Sequence, residues 1–374
     1  MSTNFLKSSR SLRVVSLLPS ATEILCEIGG SHLLVGRSHE CDYPPSITSL
    51  PILTSQLTNF TSARDVDSQV KKALLEGKSL YFIDEEQLRA LKPDIILTQS
   101  LCNVCSIDLE QVSIFAQTCN PIPVIVSLNP HNLEQVLESL VEVGMAVGME
   151  LQATTRRIEL EQRVANATVH EPLNRPNIAF IEWSDPLYVG GHWTPQLIHF
   201  AGGIHKLNTQ IGIKSFAVEY SVLVENDPDA IIVCPCGLDI EKTKEMIEDL
   251  EQHTWWSKLR AVKEGKVVMV DGNHMFNRSG PRLVDCLEWL NTWIASNCDA
   301  SKLSSDFPFE VYFHTGTIKI PQDQVLVDIE NAHSLAMVRG ELTYIDPKTG
   351  FNVFTEKAAL DRGICCGRGC RHCP

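Results

Sequence analysis

The chain has 374 residues, which is too long for one ordinary hydrophobic core and predicts two or three compact units. Hydrophobic residues make up 44% and charged residues 21%, a composition typical of globular proteins, and the formal net charge is −14. Because no basic run stands out, this charge argues against nucleic acid or anionic lipid as the main partner.

The amino-terminal segment lacks both features of a secretory signal. Its longest apolar run is "VVSLL", shorter than the roughly 7–15 residues of a signal peptide, and no small-residue cleavage site follows. No apolar run of about 20 residues occurs elsewhere, so we expect no membrane span. The chain has thirteen cysteines. Because no secretory signal is recognised, we expect them to be free thiols, metal ligands or redox groups and not a disulfide framework. We therefore expect a reducing compartment, most simply the cytosol.

Short apolar runs alternate with helical patterns over the first third of the chain. Amphipathic stretches such as "SATEILCEIG" and "SARDVDSQVKKALLEG" separate the runs "RVVSLL", "LLVGRS", "SLYFID", "DIILTQ" and "PVIVSL". These runs are rich in Val, Ile and Leu on both faces, which is typical of buried strands. The pattern predicts a parallel sheet with helices on both sides.

Two consecutive helices are predicted in the middle of the chain. Asn129 and Pro130 suit the cap and the first position of a helix, and an apolar stripe with three- and four-residue steps follows until Gly148. The next helix is "ELQATTRRIELEQRVANA". At 1.5 Å per residue it is about 30 Å long, enough to connect two lobes as a spine.

A second α/β lobe is predicted from the strands "NIAFIEW", "AIIVCP" and "KVVMVDG" and the helix "PRLVDCLEWLNTWIA". A short internal repeat indicates that the two lobes are related. The segments "KPDIILTQSLCNVC" and "DPDAIIVCPC" each place a cysteine pair after a predicted strand. The carboxyl ends of parallel strands face the ligand crevice. We therefore expect Cys102, Cys105, Cys234 and Cys236 at one cleft between the lobes.

These segments, in this order, resemble the substrate-binding proteins of cobalamin and iron-chelate importers. The opening "RVVSLLPSATEILCEIGGSHLLVGRSHECDYPP" and the later "LRALKPDIILTQ", "DPDAIIV" and "WWSKLRAVKEGKVVMVDG" carry the resemblance over roughly residues 12–298. It implies an α/β fold of two lobes with mainly parallel sheets, joined by a rigid long helix. It also implies a small-molecule ligand between the lobes.

Four motifs are similar to a subgroup labelled cobalamin-binding: "HECDYP", the "CNVC" pair, "GGHWTP" and "NRSGPRLVD". Residues 342–374 resemble a separate small Cys-rich domain of uncharacterised function. The resemblance implies a binding protein for a corrinoid or another metal chelate. Because no export signal is recognised, which departs from the importer pattern, we expect the protein to be intracellular. The expected domains are an amino-terminal lobe at 12–129, a helical linker at 130–170, a carboxy-terminal lobe at 171–298, a connector at 299–334 and a Cys-rich, metal-binding-like domain at 335–374.

The segment "SHECDYP" is the first candidate ligand-binding site. It places His39, Glu40, Cys41, Asp42 and Tyr43 just after a predicted strand, where loops commonly carry function. The alternative is a turn that the aspartate stabilises before the two prolines.

The segment "WSDPLYVGGHWTP" is the second candidate. Trp183, His192 and Trp193 surround two glycines, so flat apolar walls and a close backbone approach suit a planar macrocycle. The alternative is that both tryptophans belong to the core of the lobe.

The segment "FNRSGPRLVD" is the third candidate. Arg278 and Arg282 flank a predicted helix start, which together suits a carboxylate or a phosphate. The alternative is a salt bridge to Asp285 or to the other lobe.

The cysteine pair "CNVC" leaves a second class of function open. Its spacing is shared by zinc sites and redox dithiols, although buried free cysteines are also common small apolar residues. With His39 and Cys41 nearby, the cleft thiols suit a soft metal or the central ion of a chelate. The alternative function is therefore a metal- or thiol-dependent enzyme, for which no catalytic residue is identified.

The chain ends in "RGICCGRGCRHCP", which contains Cys365, Cys366, Cys370 and Cys373. A unit of about 33 residues buries too little apolar surface to be stable alone, so a metal or a docking surface is expected. Zinc on the four thiolates satisfies this need. An iron–sulfur cluster, with nearby arginines offsetting its charge, and a metal-free tail are the alternatives.

Overall fold

The computed structural model describes residues 11–76, 79–100, 109–303 and 306–314 and, towards the carboxyl terminus, 329, 332–333, 336–337, 339–346 and 352–362. The chain divides into two compact units, Met1–Phe313 and His314–Pro374. No helix in the described ranges is both long and apolar enough to cross a bilayer.

The first unit begins with a lobe built on a four-stranded parallel sheet, ordered β2–β1–β5–β6. Alternate residues of its strands enter different cores: Val14 and Ile95 pack with α1 and α5, whereas Val15 and Ile96 pack with α3 and α4. The central strands β1 and β5 are therefore buried on both faces, as predicted. The elements are β1 Val14–Ser16, α1 Pro19–Glu27, β2 Leu34–Arg37, β3 Thr54–Gln56, α2 Ala63–Leu75, β4 Tyr81–Ile83, α3 Glu85–Ala90, β5 Ile95–Thr98, α4 Leu109–Gln117 and β6 Val124–Ser127, followed by α5 Leu133–Val147.

One predicted strand of this sheet lies elsewhere. The run "SLYFID" forms β4, which pairs antiparallel with β3 in a separate two-stranded sheet. Phe82 is 53% exposed, and its two neighbours in the strand are half-buried. Tyr81 and Ile83 pack partly against the core of the lobe, but Phe82 on the opposite face is exposed, so β4 lacks the second covered face that a parallel strand between helix layers has. The prediction that all five runs share one sheet is wrong for this run.

Two helices, α5 and α6 (Glu150–Ala167), follow this lobe where the linker was predicted. The cap of α5 is Asn132, whose side chain accepts a hydrogen bond from the Gln135 backbone N–H at 2.9 Å, and not Asn129. Asn129 Oδ1 instead accepts from the backbone N–H of Ser100 at 2.6 Å. Gly148 ends α5 at φ +75°, the left-handed region that favours glycine.

The second lobe of this unit contains a six-stranded sheet ordered β12–β11–β10–β7–β8–β9. The strands β11, β10 and β7 are parallel, while β12, β8 and β9 pair antiparallel at its two sides. The predicted fold class of two mainly parallel α/β lobes is confirmed. The elements are β7 Ile178–Ser184, β8 Leu187–Val189, α7 Thr194–Phe200, β9 Phe216–Val218, α8 Tyr220–Asn226, β10 Ala230–Val233, α9 Ile240–Glu251, α10 Arg260–Lys263, β11 Val267–Val270, α11 Leu283–Ala295 and β12 Phe309–Tyr312, the last within the predicted connector.

The second unit contains a short hairpin and a helix, β13 Thr343–Ile345, β14 Asn352–Phe354 and α12 Glu356–Arg362. Ile329, Ala336 and Tyr344 form its buried cluster. The backbone N–H of Ala358 donates to Thr355 Oγ1 at 3.4 Å, so Thr355 caps the helix as its sequence position indicates. The four terminal cysteines lie outside the described residues.

Candidate functional site

Loops that follow parallel strands of the two sheets meet at the boundary between the lobes. Asp42 lies after β2, and Asn273 and His274 lie after β11. Asp42 Oδ2 is 2.8 Å from His274 Nε2 and accepts from Asn273 Nδ2 at 3.2 Å. Sequence reasoning named Asp42 but missed His274, although the same rule about strand ends applies to "KVVMVDGNH".

A buried ion network joins the lobes next to this contact. Arg278 Nη1 donates to Glu23 Oε1 and to Asp42 Oδ1, each at 2.8 Å. Arg282 donates to both oxygens of Glu23, at 3.0 and 2.7 Å. The side chains of Glu23 and Arg278 are only 2% and 7% exposed. We call Glu23, Asp42, His274, Arg278 and Arg282 the interlobe ion network.

The network occupies both arginines that the sequence assigned to an anionic ligand. Of the two alternatives, the structure shows the salt bridge to the other lobe, with Arg278 and Arg282 both on Glu23. Asp285, the other suggested partner, instead lies 2.6 Å from Arg163 of α6. Binding of an anion by Arg278 would therefore have to compete with two carboxylates already in place.

The charges in the network reinforce one another. Burial disfavours the charged form of Asp42, but hydrogen bonds from His274 and Arg278 hold its pKa well below the ordinary value. Hydrogen bonds to Asp271 and Asp42 raise the pKa of His274 to about 9. At neutral pH His274 is therefore a cation between two carboxylates.

The pKa of His274 predicts how stability depends on pH. The pKa of about 9 in the folded protein lies above the ordinary value of 6.5, so the stabilisation is complete below about pH 6.5. It is lost as the pH rises through about 9. Urea unfolding of the wild type and His274→Gln between pH 6 and 10 should show a stability difference that shrinks as the pH rises. Two parallel curves would contradict the assignment.

The predicted segment "HECDYP" divides between two environments. Tyr43 is 43% exposed, and the guanidinium of Arg282 lies 4.2 Å from its ring centre. His39 Nδ1 is 2.7 Å from the hydroxyl oxygen of Thr54, the first residue of β3. Cys41 is buried in the core of the amino-terminal lobe, and Glu40 offers its backbone carbonyl to Arg278 at 3.1 Å. Only part of the segment therefore reaches the boundary between the lobes.

The expected position of the thiols in the cleft is wrong for two of the described cysteines. Cys41 and Cys234 are fully buried, because the apolar run of β10 continues through Cys234 into the core. Burial raises the pKa of Cys41 to about 11 and raises that of Cys234 well above the usual range. Cys236 is exposed, while Cys102 and Cys105 lie outside the described residues. A thiol- or metal-dependent enzyme needs a thiolate, so the buried, protonated thiols of Cys41 and Cys234 do not support this alternative function.

The two tryptophans of the second candidate differ in role. Trp193 is 5% exposed and its Nε1 donates to the Phe276 carbonyl at 2.6 Å, so it belongs to the core, the alternative that the sequence left open. Trp183 Nε1 donates to the Ala63 carbonyl at 2.9 Å, a second contact between the lobes. The ring of His192 stacks on Trp193 with centres 5.4 Å apart.

A cavity of about 330 Å³ lies beside the end of β6 and the first turns of α5. His131 lines it, and the ring centre of His131 is 6.3 Å from that of His192. Within the described ranges, no three His, Cys, Asp or Glu side chains are grouped to hold a metal ion.

Comparison with known families and relatives identifies the body of the chain. Residues 14–273 match the model of the periplasmic binding protein family, and residues 332–374 match a family of unknown function, DUF5522. A vitamin B12-binding protein from Photorhabdus laumondii is 27% identical over 283 residues, 75% of this chain and 86% of the relative. An uncharacterised ABC transporter substrate-binding lipoprotein from Bacillus subtilis is 26% identical over 291 residues, 74% of this chain and 78% of the relative.

Solved structures show the same fold. A periplasmic heme-binding protein from Pseudomonas aeruginosa has a TM-score of 0.59 at 21% identity, covering 82% of this chain and 100% of the other. The periplasmic vitamin B12-binding protein of Vibrio cholerae has a TM-score of 0.54 at 19% identity, covering 77% and 98%. At these identities the likeness concerns the fold alone.

The comparisons contradict the expected cytosolic location. The similar solved proteins are periplasmic, and the Bacillus subtilis relative is a lipoprotein. The expectation rested on one apolar run in the amino-terminal segment and on free cysteines, whereas the family match rests on the whole two-lobed body. Because the family model covers most of its length, the chain belongs to the periplasmic binding protein family.

Proposed function

We propose that the protein captures a metal chelate of the corrinoid or heme class between its two lobes. The observation that carries the proposal is the meeting of strand-end loops from both sheets, with Asp42 facing His274. In open α/β sheets, ligands bind beyond the carboxyl ends of the strands. The similar proteins are named as binding vitamin B12 or heme, which supports a metal chelate as the ligand. The Bacillus subtilis relative supports delivery to an ABC transporter.

Among the residues predicted from sequence, Tyr43 and His192 are the ones we propose for ligand contact. Tyr43 keeps an exposed ring, and the ring centre of His192 lies 6.3 Å from that of His131, which lines the cavity. We assign Arg278 to holding the lobes together, because its guanidinium is buried on Glu23 and Asp42. Aromatic and imidazole rings suit the flat face of a macrocycle.

Titration of the full chain with cyanocobalamin and with hemin tests the proposal. We expect either chelate to quench tryptophan emission, because Trp183 and Trp193 lie at or just beneath the lobe boundary. Emission is corrected for ligand absorbance, and retention on a corrinoid resin provides an independent measurement. Unchanged emission with both chelates, together with no retention, would count against a corrinoid or heme ligand.

For the terminal unit we propose zinc bound by Cys365, Cys366, Cys370 and Cys373, with an iron–sulfur cluster as the alternative. The close spacing of four thiols supports a metal. Replacing all four by serine in the full chain should remove the metal and leave the main urea transition unchanged, because the lobes form a separate compact unit. Metal analysis and visible absorption distinguish zinc from a cluster. Undiminished metal content in the variant would place the metal elsewhere.

A further inference from the structure

The chain between β3 and β4 makes an excursion away from the first lobe. The two strands pair antiparallel, and just beyond them the backbone N–H of Leu57 donates to the Leu80 carbonyl at 2.9 Å. The chain therefore leaves and returns at one narrow base. We call residues 57–76, which include α2, the excursion.

The tip of the excursion docks on the second lobe. Ala63 is 1% exposed and lies in a core cluster whose other buried residues all belong to that lobe. Its carbonyl accepts the Nε1–H of Trp183 at 2.9 Å, and the ring of Phe60 meets this indole edge-on with centres 6.4 Å apart. At the rim, Arg64 Nε donates to Asp185 at 2.7 Å. The first lobe thus contacts the second through a segment that is not part of its main sheet.

Both ends of the excursion lie at strand ends where ligands bind in this kind of fold. Its base adjoins the loop after β2, because His39 Nδ1 is 2.7 Å from the hydroxyl oxygen of Thr54 and the His39 ring centre is 5.9 Å from that of Tyr81. Its tip rests on Trp183, near the carboxyl end of β7. Because ligands bind beyond the carboxyl ends of parallel strands, the excursion spans the crevice from one lobe to the other.

The docking contact is small, whereas the excursion is braced internally. Ala63 is the one buried residue among the thirteen of α2, all of which lie in the described ranges. Ser62 caps α2 by accepting from the Asp65 backbone N–H at 3.2 Å, and the Gln69 side chain bonds both the N–H and the carbonyl of Asn59. A segment with few buried apolar contacts detaches at a low free-energy cost, and the internal bonds keep it together as it moves.

We propose that the excursion is a lid, latched at Trp183, that opens about its base at β3 and β4 to admit and release a ligand. The inference rests on the function proposed above, since a lid matters only where the crevice binds something. Such a lid slows both the entry and the escape of a ligand, because each requires the latch to open first.

The latch is tested without any ligand. Ala63→Asp places a charge in the docking contact, while an acidic residue in the first turn suits the helix itself. The full chain is labelled with fluorotryptophan, the Trp183 fluorine signal is assigned with Trp183→Phe, and a soluble gadolinium complex reports solvent access. We expect the relaxation effect at Trp183 to rise at least about threefold in Ala63→Asp, with fully buried Trp293 as the internal reference. An unchanged Trp183 response would overturn the latch.

Two further variants match this comparison. Leu75→Asp adds the same charge to α2 at a residue that is 89% exposed, so it should behave like the wild type. Phe60→Ala removes the edge-on ring contact without burying a charge, and it should raise solvent access at Trp183 by a smaller factor. It therefore decides the latch if Ala63→Asp fails to fold. Equal effects of Leu75→Asp and Ala63→Asp would show that the docking contact is not the cause, and the inference would fail.

Stopped-flow binding of hemin and of cyanocobalamin separates the lid from the proposed function. If the latch gates the crevice, Ala63→Asp raises both the association and the dissociation rate constants at least about fivefold over those of the wild type and Leu75→Asp. Unchanged rate constants contradict the lid while chelate binding stands. If neither compound binds to the wild type or to Ala63→Asp, the proposed function fails, and solvent access at Trp183 still decides whether the latch exists.

Discussion

Replacing Glu23 with glutamine is expected to lower the free energy of unfolding by about 3–5 kcal/mol, because removing one partner of a buried ion pair leaves the other charge uncompensated. Glu23 is 2% exposed at its side chain and accepts hydrogen bonds from both Arg278 and Arg282. The variant leaves two buried guanidinium groups with only Asp42 as an anionic partner in the interlobe ion network. Urea unfolding with a constant m-value measures the loss.

A matched control shows whether burial produces the effect. Glu241→Gln removes an ion pair with Lys244 in which the glutamate side chain is 78% exposed, and such surface pairs contribute about 0–1 kcal/mol. A double-mutant cycle of Glu23→Gln with Arg282→Met should give a coupling energy of about 0.5–3 kcal/mol. If Glu23→Gln and Glu241→Gln cost the same, the network does not hold the lobes together, and Arg278 and Arg282 become available to an anionic ligand.

The fold could be predicted because its information is local. Val14 and Val15 enter opposite cores, so a run that is apolar on both faces already predicts a parallel strand between helices. The run that became β4 shows the limit of this rule. Its three residues are apolar or aromatic in the sequence, and only the folded chain shows that the middle one, Phe82, faces solvent. The strand runs on both sides of the predicted helical linker already indicated two lobes, and the resemblance to importer proteins supported the same arrangement.

The candidate site could be predicted only at the level of segments. The rule that loops at strand ends carry function identified the segment of Asp42, a predicted helix start identified that of Arg278, and the first rule applies equally to His274. It does not say which side chains pair, because Arg278 and Glu23 are 255 positions apart and meet only through tertiary packing. The same limit explains Cys234, which follows a strand in sequence but continues its buried run in space.

Trp193→Ala is expected to cost about 3–5 kcal/mol of stability, the usual range for removing a buried aromatic side chain. Trp193 is 5% exposed, packs in the core of the second lobe and supports the ring of His192. Its indole N–H also satisfies the carbonyl of Phe276, at 2.6 Å. The change therefore removes packing and a buried hydrogen bond directly beneath the proposed ligand-binding histidine, and thermal or urea unfolding measures the result.

A graded series separates these two contributions. Trp193→Phe keeps most of the ring but leaves the Phe276 carbonyl without its donor, which should cost about 1–3 kcal/mol. Trp255→Ala, at a half-buried tryptophan that stacks on His253, is the matched control and should cost less than Trp193→Ala, about 1–2 kcal/mol. Equal losses of stability in Trp193→Ala and Trp255→Ala would contradict the assignment of Trp193 to the core of the second lobe.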